Sequence, residues 1–248
     1  MVENKKTAIV MIPTFNEREN IGDLIEEILA LPRDYNLSVL VVDDNSPDGT
    51  GGVVQKMAEE DTRVHLLLRT ERKGRGAAGI DGFKAALDLA ADYVIEMDGD
   101  FSHQPRFIPL LLENCRVLDV VIGSRFVPGG KDLDRGSVRK FVTFLARRFI
   151  KLQFRTPVKD VSSGFRCFKR EVLEKIGLDD LISVGPSIVL EILYKVTLLN
   201  YKIGEVPILF IDRKQGRTKL NFRTLLKTLL MSIKFKSIYS RPSSRDIS

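Results

Sequence analysis

Only two cysteines, Cys115 and Cys167, occur in the 248 residues. They are too few for a disulfide framework and lack the CxxC or Cys/His spacing of a zinc site, so both read as small buried apolar side chains. Two histidines, His65 and His103, are equally insufficient for a histidine-rich metal centre. Long apolar runs are missing too. Charges such as Glu191 and Lys195 break up the most apolar region, and nothing approaches the roughly 20 residues that cross a bilayer. Met1 to Lys6 leads straight into the strand-like TAIVMI with no apolar signal core or cleavage site, which points to the cytoplasm rather than to export.

With 44% hydrophobic and 29% charged residues, the chain can bury a substantial core, which excludes wholesale disorder and fibrous repeats. Its length suits one large α/β domain. The net charge of +6 is uneven: Lys131 to Lys159 carries +7 and Arg213 to Ser248 carries +9, leaving −10 on the remainder. Nucleic acid, anionic lipid or bound phosphates could each account for such basic segments.

The first half alternates strand and helix patterns. Strands are expected at Thr7 to Ile12, Leu37 to Val42, Arg63 to Leu68, Tyr93 to Met97 and Leu118 to Ile122. Helical spacing links Ile21, Leu24, Ile25, Ile28 and Leu29, then Val53, Val54, Met57 and Ala58, then Ile80, Phe83, Ala86 and Leu87. This predicts an α/β, Rossmann-like, mostly parallel sheet flanked by helices, with functional loops at the C-terminal strand ends. PTFNE, DDNSPDGT and DGDFSH fall there. After Gly123 the alternation stops. GSRFVPGGKDLDRGS reads as a mobile glycine-rich loop, followed by a basic amphipathic helix from about Ser137 to Leu152 whose apolar stripe is Phe141, Phe144, Leu145, Phe149 and Leu152. A helix from about Pro186 to Leu199 precedes a strand-like Ile203 to Ile211, and the tail from Phe222 to Tyr239 mixes apolar and basic residues.

Asp98-Gly99-Asp100 is the sharpest feature. Two carboxylates one residue apart at a strand end can hold a hard divalent cation, and the glycine between them would let a ligand approach the backbone. Asp44 can accept hydrogen bonds from a base or ribose, whereas Asp48 to Thr50 suit a helix cap. Lys73 to Gly79 matches GxGxxG by letter but does not open the first βα unit, and reads as a tight loop entering a helix. Arg125, Arg139, Arg213 and Lys219 lie in loop-rich settings where, together, they could bind phosphates.

PTFNE, VVDDNSPDGT, MDGDFSHQP, GSRF, DVSSGFRCFKREVLEKI and NYKIGEVPILFIDRKQGRTKL, in this order, resemble the dolichol-phosphate (polyprenyl-phosphate) mannose synthases, family 2 glycosyltransferases of the GT-A fold. The resemblance covers roughly Thr7 to Leu220. It implies a catalytic domain over residues 1–220 and a basic amphipathic tail over 221–248 that faces a membrane or partner. Pro13, Phe15, Glu17, Val42 and Asp44 would line the nucleoside pocket, with Asp98, Gly99 and Lys219 also on the nucleotide. Asp98 and Asp100 would bind Mg²⁺ or Mn²⁺. Arg125, Arg139, Thr143 and Arg213 would receive the acceptor phosphate, and Asp100, Arg125 and Arg213 would be catalytic. Ser102, Arg147 and Val189 depart from the usual residues: Gln as a further metal ligand, Asn on the acceptor helix, and Gln before Glu191. The implied reaction is inverting transfer of mannose from GDP-mannose to dolichyl or polyprenyl phosphate, giving a β-linked product, on the cytoplasmic face of a membrane, held there directly or through a small membrane subunit. A glucosyltransferase using UDP-glucose is the nearest alternative. A nucleic-acid-binding protein is the alternative from another class, but no recognition motif supports it.

Overall fold

A computed structural model describes residues 5–32, 34–71, 74–133, 137–211 and 222–239. Its elements run β1 (Thr7–Thr14), α1 (Arg18–Leu29), β2 (Asn36–Asp43), α2 (Thr50–Glu60), β3 (Val64–Leu68), α3 (Arg75–Asp88), β4 (Tyr93–Glu96), α4 (Ile108–Cys115) and β5 (Val120–Ser124). There follow β6 (Lys131–Leu133), α5 (Ser137–Phe154), β7 (Arg166–Lys169), α6 (Arg170–Lys175), α7 (Ile188–Leu198), β8 (Ile203–Pro207), β9 (Leu209–Ile211) and α8 (Phe222–Ile238).

The main sheet has the order β3-β2-β1-β4-β7-β5-β8. Pairing is parallel from β3 through β4 and between β5 and β8, while β7 runs antiparallel between β4 and β5. Strand β1 is buried almost throughout because both faces of the sheet are covered. Its alternate residues serve different layers. Ile9 and Met11 join Phe83 of α3 and the residues of α7, whereas Ala8, Val10 and Ile12 pack with Ile21, Leu24, Ile25 and Ile28 of α1. Both cysteines are free and buried, as their number and spacing implied.

Because β2 lies on one side of β1 and β4 on the other, the helices leave toward opposite faces there and a crevice opens beyond the strand ends. Asp44, just past β2, and Asp98, just past β4, lie at this crevice, reached by the neighbouring Gly74 and Arg75 respectively.

Three expectations require correction. The glycine-rich stretch after Gly123 is not one mobile loop: β5 continues to Ser124, and Lys131–Leu133 pairs in parallel with Leu209–Ile211 as a separate two-stranded sheet. The strand-like Ile203 to Ile211 divides at Ile208, its first part joining the main sheet and its second the small one. Strand β7 was not foreseen, since four residues directly followed by a helix show no usable periodicity.

The C-terminal α8 packs on the body through Phe235, which meets Phe154 of α5 and Tyr194 of α7 at ring-centroid distances of 5.7 and 6.0 Å. Tyr239 extends this anchorage, donating its hydroxyl to Glu191 (2.7 Å) and to the Asp180 carbonyl (2.6 Å).

Candidate active site

Asp43 and Asp44 are adjacent but have different tasks. Buried Asp43 accepts hydrogen bonds from Thr14 Oγ1 and from the backbone N–H and hydroxyl of Ser46, closing the turn after β2. Asp44 points to the other side, where Arg69 binds one of its oxygens and the Gly74 N–H donates to Oδ2 at 2.7 Å. Arg69 also reaches Asp81 at 2.9 Å. Asp48 stands one residue before Gly49, the N-cap of α2, and accepts from the Thr50 N–H (2.9 Å) and hydroxyl (2.6 Å) and from the Arg18 N–H, in keeping with a structural role for Asp48 to Thr50.

Of the nucleoside-side candidates, Phe15 is exposed and Glu17 partly so on the turn after β1. Pro13 lies at the end of β1, half-buried. Val42 is wholly buried in the core, so its side chain is not presented to a ligand. Its carbonyl accepts from Thr14 Oγ1.

The Asp98–Asp100 turn follows β4. The Asp98 N–H donates to His103 Nδ1 at 3.0 Å, while Asp100 Oδ1 accepts from the Ser102 N–H (3.1 Å) and hydroxyl (2.6 Å). His103 is buried and stacked on Phe165, with ring centroids 5.1 Å apart. Burial lowers its pKa, consistent with a neutral ring whose Nδ1 accepts the hydrogen bond from the Asp98 N–H. Packing also favours a small residue at Gly99, since a Cβ there would stand 3.1 Å from Thr14 Cγ2.

Arg75 bridges two carboxylates, with Nη1 3.0 Å from Glu96 Oε1 and Nη2 3.1 Å from Asp98 Oδ1. Glu96 is buried at the end of β4, and burial raises its pKa while the Arg75 charge opposes the rise. Arg75 opens α3, so Arg75 to Gly79 form the first turns of the helix rather than a loop before it, and Lys73 lies outside the described residues. Gly74 takes φ +129° there, and at Gly76 a Cβ would come within 2.2 Å of the Ser183 carbonyl oxygen. That Ser183 loop is held by Glu191, whose carboxylate accepts from the Ile182 and Ser183 N–H groups at 2.9 and 2.8 Å.

Arg125 lies past β5 and is almost wholly buried. Its N–H and Nε donate to Asp160 Oδ2 (3.0 and 2.7 Å), and its Nη2 donates to Asp160 Oδ1 (2.7 Å) and Ser162 Oγ (2.9 Å). It is therefore part of a buried ion pair rather than a solvated loop cation. Burial would raise the Asp160 pKa, but the Arg125 hydrogen bonds and charge hold it below the usual carboxylate range. Arg147, on α5, lies 3.4 Å from the centroid of the Phe126 ring and donates to the Lys159 carbonyl. Thr143 is half-buried on α5, and Arg139 belongs to the same helix. The Arg139 side chain, Arg213 and Lys219 lie outside the described residues.

Composition and spacing did not single out Arg75, Glu96, His103 or Asp160 as site residues. Arg75 was legible only as part of a glycine-rich loop, and Asp160 only as part of DVSSGFR. The carboxylates of Asp98 and Asp100 are hard oxygen donors at the crevice, partly open to solvent, and they suit Mg²⁺ or Mn²⁺ with diphosphate or water filling the other positions. Among the described residues no group of three or more His, Cys, Asp or Glu side chains could hold a metal ion.

A sequence model of the family described as "Glycosyl transferase family 2" matches residues 9–177. The chain is 38% identical over 214 residues to an undecaprenyl-phosphate mannosyltransferase of Micrococcus luteus, covering 86% of this chain and 87% of that one. It is 35% identical over 223 residues to a polyprenol monophosphomannose synthase of Mycolicibacterium smegmatis, covering 89% and 83%. Among solved structures, the glucosyl-3-phosphoglycerate synthase of Mycobacterium tuberculosis in complex with Mn²⁺, UDP-glucose and phosphoglyceric acid superposes with a TM-score of 0.70 at 20% identity, covering 96% of this chain and 81% of that one. A mannosyltransferase of Pyrobaculum calidifontis in complex with GDP-mannose and Mn²⁺ gives 0.64 at 22% identity, covering 98% and 67%.

Proposed function

The chain belongs to glycosyl transferase family 2, and from that premise we propose that it transfers mannose from GDP-mannose to a polyprenyl phosphate such as dolichyl phosphate, with inversion to a β-linked product. The names of its relatives support the sugar and the class of acceptor.

The observation that carries the lipid acceptor is the outer face of α5. Phe141, Phe144, Leu145, Phe149 and Leu152 are between 42% and 71% exposed, while Ile150 and Phe154 face the core. The apolar stripe thus points outward. On α8, Leu226, Leu230, Ile233 and Ile238 are exposed as well. Arg148 and Lys151 accompany the first set, Lys227 and Lys234 the second, a composition suited to the headgroup boundary of an anionic bilayer. No helix of the described residues is long and apolar enough to cross a membrane. The surface therefore suits peripheral attachment on a cytoplasmic membrane face, or docking onto a small membrane subunit, and α8 adds to it.

At the site, Asp98 and Asp100 would hold Mg²⁺ or Mn²⁺, which supplies Lewis-acid stabilisation of the departing diphosphate. The acceptor phosphate is already anionic, so no strong general base is required. What the chain must supply is positive charge on the acceptor side. Arg125 is the described candidate, with Arg139, Thr143 and Arg213 completing the set and Lys219 on the nucleotide. Although burial and Asp160 dominate its surroundings, Arg125 is also near enough to Asp98 to feel its charge, which supports a position for it beside the metal side of the site. Phe15 and Glu17 on the β1 turn, with Asp44 across the crevice, form the nucleoside side.

The decisive experiment incubates the protein with Mn²⁺, a short polyprenyl phosphate and either GDP-mannose or UDP-glucose, and extracts the lipid. Mannosylated lipid from GDP-mannose alone is expected. Transfer only from UDP-glucose would overturn the donor assignment, and no lipid product from either would overturn the reaction.

A further inference from the structure

Arg75 is a cation built into the metal side of the site. Its guanidinium lies 3.0 Å from Glu96 Oε1 and 3.1 Å from Asp98 Oδ1. The Glu96 end of this bridge is fixed, because that side chain is 1% exposed and belongs to β4. The arginine end is fixed as well. Gly76 packs against the Ser183 carbonyl and donates its N–H to the Val184 carbonyl, and Glu191 holds the same loop by two backbone hydrogen bonds. A side chain held at both ends therefore places a positive charge, shared with Glu96, on a carboxylate of the DGD turn.

We propose that Arg75 is a built-in counter-ion of Asp98 that disfavours divalent metal in the donor-free protein and so makes metal binding depend on the arrival of the nucleotide diphosphate. This rests on the reading of Asp98 and Asp100 as the metal ligands. Arg75 already holds one Asp98 oxygen, and it repels a second cation. A single and a double positive charge about 5 Å apart repel enough, even at the dielectric of bulk water, to weaken binding on the order of tenfold. The donor diphosphate brings negative charge that offsets this repulsion, so metal and donor favour each other's binding. The role is one of positioning and electrostatics; Arg75 takes no part in bond making. A purely structural Arg75, needed only to orient Asp98, has the opposite consequence, because its removal would then weaken the metal site.

The test is Mn²⁺ titration followed by the electron paramagnetic resonance of the free ion, with and without GDP, corrected for Mn²⁺–GDP association in a protein-free control. Without GDP, Arg75→Gln should bind Mn²⁺ about fivefold to tenfold more tightly than the unchanged protein, so that it fills at Mn²⁺ concentrations at which the unchanged protein needs GDP. Arg75→Lys, which keeps the charge, should stay within about twofold of the unchanged protein. Equal or weaker donor-free binding by Arg75→Gln overturns the proposal. Arg75→Met gives the same comparison should the glutamine variant fail to fold, and failure of both to fold would make Arg75 a structural residue and also overturn it. If Asp98→Asn leaves Mn²⁺ binding unchanged with and without GDP, the metal assignment itself fails, whatever Arg75 does.

Discussion

Replacing Asp160 by Asn changes one atom and removes one charge from the most deeply buried ion pair at the site. The two side chains are 5% and 0% exposed, and Asp160 takes three hydrogen bonds from Arg125, two on Oδ2 and one on Oδ1. An amide offers one acceptor oxygen, so whichever way it turns, an NH₂ group faces at least one guanidinium or backbone donor. A charge-assisted hydrogen bond contributes about 1.5–3 kcal/mol, and a buried cation left without its counter-charge costs more. The expected loss is about 3–5 kcal/mol, the range for breaking a buried pair from one side. Urea unfolding should report it as a lower midpoint at unchanged slope, by roughly 1–2 M if the slope is near 2.5 kcal/mol per M. The pH dependence has a definite sign. Because the folded Asp160 pKa lies below its unfolded value, near about 3.9, its stabilisation is complete above that value and is lost as pH falls through the folded pKa. The gap between the unchanged protein and Asp160→Asn should therefore narrow below about pH 4. The double variant Arg125→Met with Asp160→Leu should recover most of the stability, since no charge remains buried. If Arg125 also receives the acceptor phosphate, that stable double variant should be inactive. A loss below about 1 kcal/mol in Asp160→Asn would refute the reasoning, because it would mean that the charge of Asp160 is not what compensates Arg125.

Asp98→Asn and Asp100→Asn should each lower mannosyl transfer at least about a hundredfold, about 2.7 kcal/mol of barrier, with thermal unfolding little changed; turnover near that of the unchanged protein in either would remove the metal assignment. Arg139→Ala or Arg213→Ala should raise KM for polyprenyl phosphate and leave donor affinity alone, and equal weakening of donor binding would put these cations on the wrong substrate. Phe144→Ser with Leu152→Ser, or a chain ending at Leu220, should cosediment less with anionic vesicles at low salt; if the full chain does not pellet either, attachment must go through a separate membrane partner. Gly76→Ala should destabilise by about 1–3 kcal/mol, since its methyl would press on the Ser183 carbonyl at 2.2 Å, and unchanged urea unfolding would show that this loop gives way.

Periodicity alone marked out β1, β2 and α1, because burial on both faces of a parallel strand and on one stripe of a helix writes itself into consecutive residues. The spacing of DGD likewise gave the carboxylates away, as two hard donors one residue apart are visible in a string of letters. The pairings that set their charge were not visible. Arg75 and Asp98 are 23 residues apart and Arg125 and Asp160 are 35 apart, and each pair meets only because β4, β7 and β5 lie side by side with α3 packed above them. Strand β7 itself was hidden, since four residues acquire a strand's identity from their neighbours rather than from their own pattern. The stripe on α5 shows the same limit. Its spacing announced an amphipathic helix, yet a stripe of phenylalanines and leucines reads alike whether it faces a core or a bilayer. Tertiary packing decided the matter: Ile150 and Phe154 occupy the space against α7 and α8, which leaves Phe141, Phe144 and Leu152 facing out.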